Sequence, residues 1–230
     1  MMKVLVASED SRAAADIRGA VVTIGTFDGV HCGHRVLIDS AVNRAGEQNR
    51  KSVVITFEPH PRSVLPDSRQ PELLTTYGEK LALFASRGVD STLVVPFDRA
   101  RSLQDPVDFI TKTVHGLLRP EHVFVGYDFR FGRERSGDPA LLTEQGEGLG
   151  FGVSTVGPVA IDGQVVKSTA VREALRTGRV HEAARALGRF YSLTGRVVAG
   201  AGRGRTLQAR TANLGAVPAE KLVPGNGVYA

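Results

Sequence analysis

Residues 20–42 read AVVTIGTFDGVHCGHRVLIDSAV. The run VVTI (21–24) is apolar and β-branched on both faces, which suits a strand covered on both sides of a parallel sheet. RVLIDSAV (35–42) instead spaces its apolar residues three and four apart, the period of an amphipathic helix. Between them GTFDGVHCGH (25–34) holds three glycines, an acid and two of the chain's six histidines. A strand that becomes a helix through such a loop opens a βαβ unit. The loop then lies beyond the carboxyl end of its strand, where parallel α/β sheets bind ligands.

The pattern repeats outward from this stretch. Further short apolar runs are SVVITF (52–57), STLVV (91–95), HVFV (122–125) and GFGVSTV (150–156), alternating with helical periodicity near 34–46, 78–88, 105–118 and 138–146. This predicts an α/β fold, a Rossmann-like parallel sheet with VVTI as its first strand and right-handed crossovers. After two helical stretches, TAVREALRTG (169–178) and VHEAARALG (180–188), the texture changes near residue 189 to glycine, short strands and turns. Two units are therefore expected, 1–187 and 188–230, the second a partial β-barrel. Its last residues, VYA (228–230), read as the middle of a strand, so this unit is expected to be incomplete and mobile. Its open strand edges point to self-association.

Composition restricts the class. With 230 residues, 42% of them hydrophobic, the chain can bury a sizeable core. No apolar run approaches the roughly 18 residues of a membrane span, and MMKVLVASEDSRAAAD carries acids where a signal peptide would be apolar. No membrane partner and a cytoplasmic location are expected. Cys32 is the one cysteine, so no internal disulfide can form. The net charge of +5 is uneven: residues 1–160 carry 18 Lys and Arg against 20 Asp and Glu, whereas residues 161–230 carry 11 against 4. Such an excess is either a solvated basic face or a surface for phosphates. The tract AGAGRGR (199–205) lacks neighbouring aromatics, and no nucleic-acid partner is expected.

If His34 lies in the first helical turn, His31 sits about one turn earlier, and both imidazoles point past the helix N-terminus. Free N–H groups and the helix dipole favour a phosphate there, and Gly25, Gly29 and Gly33 let backbone approach it. A triphosphate fits. Two readings compete: metal ligation, which lacks the other ligands of a zinc site, and histidines that merely pack. Asp28 either caps the following turn or helps hold an ion and the histidines. Ser168 and Thr169 stand where AVREALR begins, so their hydroxyls can cap that helix or bond a phosphate, and Arg172 lies on the same face a turn later. In TFEPHP (56–61) two prolines stiffen a loop around His60. The stretch Asp128, Phe129, Arg130, Phe131 and Arg135 combines ring faces with charge, although FRFG alone is equally ordinary core packing.

GTFDGVHCGH resembles the HxGH signature of the nucleotidyltransferase superfamily, in the GxFDGxHxGH form of bacterial FAD synthetases, the N-terminal module of bifunctional riboflavin kinase/FMN adenylyltransferases. TFEPHP, VGYDFRFGRERSGD (125–138) and VKSTAVREALRTGRVHEAARALGRFY (166–191) resemble further stretches of that family in the same order. The resemblance implies transfer of AMP from ATP to FMN, giving FAD and pyrophosphate, with Mg2+ as cofactor and ATP and FMN as small-molecule substrates. It implies that His31, His34 and Arg172 are catalytic. ATP binding would fall to Gly25, Thr26, Phe27, Asp28, Gly33, Ser168, Thr169 and Arg172. Flavin binding would fall to Phe57, Pro59, His60, Pro61, Asp128, Phe129, Arg130, Phe131 and Arg135. Lys167 stands where the family usually has serine. GRTLQARTANL (204–214) resembles the start of a riboflavin kinase, with Thr211 and Asn213 as implied magnesium and phosphate ligands of a second ATP and Gln208, Ala209 and Arg210 as departures. Riboflavin phosphorylation is not expected of these 230 residues. Two alternatives stay open: another adenylyl- or cytidylyltransferase of the superfamily, and a catalytically silent flavin- or nucleic-acid-binding protein.

Overall fold

The computed structural model describes residues 1–7, 15–65, 72–200 and 212–229. Six strands form one sheet: β1 (Lys3–Val6), β2 (Val21–Ile24), β3 (Ser52–Glu58), β4 (Ser91–Pro96), β5 (His122–Gly126) and β6 (Gly152–Val156). Their order is β1-β4-β3-β2-β5-β6, and every pairing is parallel. Alternate residues of each strand serve opposite layers. Val22, Ile24, Val53 and Ile55 join one core with Phe109, Ile110 and Leu142, whereas Val54 packs on the other side with Leu37, Ile38 and Phe84. Covering both faces requires helices on both, and the chain supplies them.

α1 (Cys32–Glu47) and α3 (Tyr77–Ser86) cover one face, with the single turn α2 (Pro61–Val64) between β3 and α3. The other face takes the helix that runs through α5 (Pro106–Asp108), a π-helical stretch (Phe109–His115) and α6 (Gly116–Leu118), and α7 (Pro139–Leu149). The short α4 (Arg99–Ser102) precedes α5. Beyond β6 come a hairpin of β7 (Ala160–Ile161) and β8 (Gln164–Val165), then α8 (Ser168–Arg176) and α9 (Val180–Leu187). α8 and α9 bury Val171, Leu175, Ala183 and Leu187 in a separate small core with Leu74 and Leu222. From β2 the chain steps through β3 and β4 to one side, then crosses back to β5 and β6 on the other. That reversal opens a crevice at the carboxyl ends of β2 and β5.

The structure corrects three expectations. VVTI is the second strand, not the first: β1 precedes it as an edge strand whose residues are mostly exposed, so KVLV lacks the apolar run that marks the inner strands. The hairpin β7–β8 is too short, at two residues per strand, to leave a periodic signal. The C-terminal unit is represented by a two-stranded ladder of β9 (Arg196–Val198) and β10 (Asn213–Gly215), but it does not stand apart. Leu73 N–H donates to Glu220 O at 2.6 Å, Leu222 N–H donates to Leu73 O at 2.9 Å, and Gly225 N–H donates to Leu175 O at 3.0 Å. Residues 220–225 thus add a strand-like edge to the first unit. Gln208, Ala209, Arg210 and Thr211 lie outside the described residues.

Candidate active site

The crevice contains a cavity of about 720 Å³, within the usual range for a small-molecule site. Two helix N-termini, those of α1 and α8, border it through His31, Gly33, His34, Lys167, Ser168 and Thr169. His31 is the N-cap of α1, and its Nδ1 accepts from His34 N–H at 3.3 Å. A neutral imidazole that accepts at Nδ1 carries its proton on Nε2, so capping and hydrogen-bond donation use different nitrogens of one ring. The His31 and His34 rings stack at 3.6 Å, 17° from parallel. Burial holds the His31 pKa near about 4, against the pull of Asp28 and Asp128. Burial, then the His31 neighbour, lowers His34 well below 6.5. Both rings are therefore neutral at pH 7. His34 Nδ1 is buried and has no hydrogen-bond partner among the described residues, as a group reserved for a ligand would be.

The loop between β2 and α1 is tightly wound. Phe27, Gly29 and Val30 have φ of 52°, 83° and 40°. A Cβ on Gly29 would approach Leu74 Cδ1 to 2.7 Å, so only glycine fits there. Asp28 caps no helix. Its carboxylate is buried and accepts from Leu74 N–H at 2.9 Å, Thr75 N–H at 3.1 Å and Thr75 Oγ1 at 3.2 Å. Arg172 Nη2 donates to it at 2.5 Å, and Arg172 Nε donates to Glu72 O at 2.7 Å. Arg172 is thus no surface arginine: 7% exposed, it reaches the cavity wall from α8 with a fixed head. Ser168 does not cap α8 either. Lys167 occupies the N-cap without a side-chain bond, while Ser168 Oγ donates to Asp28 O at 3.0 Å. The first N–H groups of α8 consequently lack a side-chain acceptor, which leaves them to an anion.

Aromatic rings form the far wall. Phe57 meets Phe97 edge-on at 5.8 Å and lies 6.1 Å from Phe109, Phe109 lies 5.6 Å from Phe131, and Phe129 stacks on Phe131 at 5.1 Å. Such a row suits a flat polycyclic ligand. Gly25, Thr26, Phe27, His60, Pro61, Asp128, Arg130 and Arg135 also line the cavity. His60 caps α2, its Nδ1 accepting from Arg62 N–H at 3.1 Å, and burial lowers its pKa to about 4. Pro59, joined to Glu58 by a cis peptide, is in the same loop but not in the lining. Asn213 sits in β10 opposite Val198, away from the cavity. Phe97, Arg101 and Phe109 line the cavity but escaped the sequence reading. The signal for Phe97 was its position just beyond the carboxyl end of β4.

Among the described residues no group of three or more His, Cys, Asp or Glu could hold a metal ion. Asp28 is saturated by its N–H and guanidinium donors, and Asp128 is exposed without a hydrogen bond to another described residue. A resident metal does not fit. A magnesium ion bound mainly by substrate phosphates does, since such an ion needs only one or two protein carboxylates.

A parallel sheet with this reversal, two helix N-termini and a paired-histidine loop defines a Rossmann-like nucleotidyltransferase domain. Two pantothenate-synthesis enzymes share the fold: the pantothenate synthetase of Thermus thermophilus, with TM-score 0.50 and 19% identity over 81% of each chain, and the pantoate-beta-alanine ligase of Francisella tularensis, with TM-score 0.51 and 14% identity over 80% of this chain and 77% of that one. The family model for FAD synthetase matches residues 13–170, and that for riboflavin kinase matches 187–230. The bifunctional riboflavin kinase/FMN adenylyltransferase of Escherichia coli K12 is 39% identical over 92% of this chain and 67% of its own length, and that of Haemophilus influenzae is 34% identical over 93% and 69%. The chain belongs to the FAD synthetase family. A Streptococcus pneumoniae structure described as a macrolide-efflux protein superimposes with TM-score 0.87, at 26% identity, over 99% of this chain and 73% of that one. No helix among the described residues is long and apolar enough to cross a membrane.

Proposed function

We propose that residues 1–187 form an adenylyltransferase domain that joins FMN to ATP, giving FAD and pyrophosphate, and that residues 188–230 open a riboflavin-kinase-like segment. An FMN phosphate oxygen attacks the α-phosphorus, the α–β bridging bond breaks and pyrophosphate leaves with magnesium, ATP entering as its magnesium complex. No covalent enzyme intermediate is needed, so catalysis is positioning and charge stabilisation. His31 donates from Nε2 to an α-phosphate oxygen as charge builds, His34 bonds a neighbouring phosphate oxygen, and the α8 N-terminus with Arg172 receives the β,γ-phosphates. The ring row from Phe57 to Phe129 takes the flavin, with Asp128, Arg130 and Arg135 at its rim.

The observation that carries this reading is the His31 ring, which caps α1 with one nitrogen and leaves the other protonated at the cavity. Incubation of the chain with ATP, magnesium and FMN, with products separated by chromatography, tests it. FAD and pyrophosphate in equal amounts are expected; their absence at saturating substrate, or turnover of phosphopantetheine or glycerol phosphate in place of FMN, overturns it. Cytoplasmic residence belongs to the same reading and is checked by cell fractionation.

A further inference from the structure

Three residues with left-handed backbone precede His31 within five positions, and one of them, Val30, is β-branched. A β-branched residue at positive φ is strained and persists only where its surroundings over-determine it. On the inner side the surroundings are clear: Gly29 N–H donates to Thr75 Oγ1 at 3.1 Å and Val30 N–H donates to Phe27 O at 3.1 Å. The outer side is held by a residue from beyond α9. Arg189 Nη2 donates to Gly29 O at 2.8 Å, and its Nη1 donates to Val30 O at 3.3 Å and Leu187 O at 3.4 Å.

We infer that Arg189 is a positioning residue: its guanidinium clamps the carbonyls of the left-handed Gly29–Val30 turn and so fixes the direction in which His31 presents its ring. The planar fork of arginine suits two adjacent carbonyls, which a lysine ammonium cannot bind in the same geometry. Gly29 O and Val30 O belong to the two residues directly before His31, so release of either changes the exit angle of the chain into α1. A misplacement of about 1 Å at a reacting group costs about 10²-fold in rate. The clamp is separable from the docking of α9 itself, because α9 has its own ties to α1. Arg35 Nη1 donates to Gly188 O at 3.0 Å, and Cys32 Sγ lies 3.5 Å from Arg185 O. Arg189 is also the second residue of the segment matched by the riboflavin kinase family beyond Leu187, so the catalytic loop is held from outside the stretch that the FAD synthetase model matches.

This inference rests on the catalytic reading of His31 given above, and its test includes a measurement that does not. Arg189→Met, Arg189→Lys and Arg35→Met are compared for kcat and KM in FAD formation, for thermal melting, and for the NMR titration of the His31 ring. Arg189→Met is expected to lower kcat about 10- to 100-fold with KM for FMN little changed. Arg189→Lys should recover part of that loss, and Arg35→Met, which unties only Gly188, should keep kcat within about twofold of the parent. With the loop loosened, His31 gains solvent and should titrate above its parent value. Wild-type kcat in folded Arg189→Met, an equal loss in Arg35→Met, or an unchanged His31 titration overturns the clamp. If Arg189→Met does not fold, Arg189→Lys is judged against Arg35→Met by the same rule. If the parent chain makes no FAD, the proposed function fails, while the His31 titration still decides the clamp.

Discussion

His31 does two jobs with one ring, and a single substitution can separate them. His31→Asn keeps a side-chain acceptor for the His34 N–H, since asparagine is a strong N-cap, but removes the Nε2–H. Melting should stay within a few degrees of the parent while kcat falls about 10²-fold, the usual loss for a preorganised donor. An unfolded variant, or full activity, contradicts the assignment. The same burial that keeps these rings neutral has a cost in acid. His31 and His60 titrate near about 4 in the folded chain, whereas an unfolded histidine titrates at about 6.5. Because the unfolded state takes up protons first, stability is fully present above about pH 6.5 and is lost as pH falls from there towards about 4. Melting followed from about pH 7.5 to about pH 5 should show that loss, and His60→Asn, which keeps the cap on Arg62 N–H, should flatten it. An identical slope in the variant rules out His60 as a contributor.

At the level of elements, the two helices that meet at the cavity begin differently. α1 has a side-chain cap in His31, whereas α8 has none, because Lys167 occupies its N-cap. A lysine there opposes the helix dipole but adds a positive charge beside the cavity. Lys167→Ser should therefore stabilise the fold by about 1 kcal/mol through capping, raising the melting temperature by about 2–4 °C. It should also raise KM for ATP a few-fold and make it less sensitive to salt, since an exposed charge is screened. Calorimetry and initial rates at two ionic strengths read both effects; a lower KM for ATP would show that the lysine obstructs the phosphates. The elements themselves were largely legible. β2 to β6 are written as continuous apolar runs because helices cover both their faces, and α1, α3, α7, α8 and α9 show the period of half-buried helices. β1 was missed because an edge strand with mostly exposed residues has no such run. The π-helical stretch Phe109–His115 was invisible because its apolar residues still look α-helical over so few positions.

For the whole molecule, the uneven charge finds its explanation in contacts between distant parts of the chain. The C-terminal excess of bases meets acids of the first hundred residues: Arg172 on Asp28, Arg176 on Glu72 and Lys221 on Glu79. None of these pairs was legible, because each depends on which acid the fold brings near. Nothing in AEKLVPG (219–225) distinguishes Lys221 from a surface lysine, yet its side chain is 2% exposed. Its Nζ donates to Leu74 O at 2.8 Å, across 147 positions of sequence, and to Glu79 Oε2 at 2.6 Å, with the Tyr191 ring 4.5 Å away. Leu74 N–H in turn donates to Asp28, which holds Arg172. The C-terminal segment therefore supports the phosphate side of the cavity through two hydrogen-bonded steps. Lys221→Met would remove the cation and leave a part-buried carboxylate at Glu79, which also closes the capping box of α3 with Thr76. Breaking one partner of a buried pair costs about 3–5 kcal/mol, and even a third of that lowers melting by about 2–4 °C in a chain of this size. The loss should be largest in Lys221→Met alone and smaller when Glu79→Gln accompanies it, because the second change removes the unpaired charge. If the segment braces the site, KM for ATP rises in Lys221→Met while the flavin, bound at the opposite wall, keeps its affinity. Equal losses for both substrates would reduce Lys221 to a global stabiliser, and wild-type melting would mean that residues 220–225 do not dock on the adenylyltransferase domain in solution.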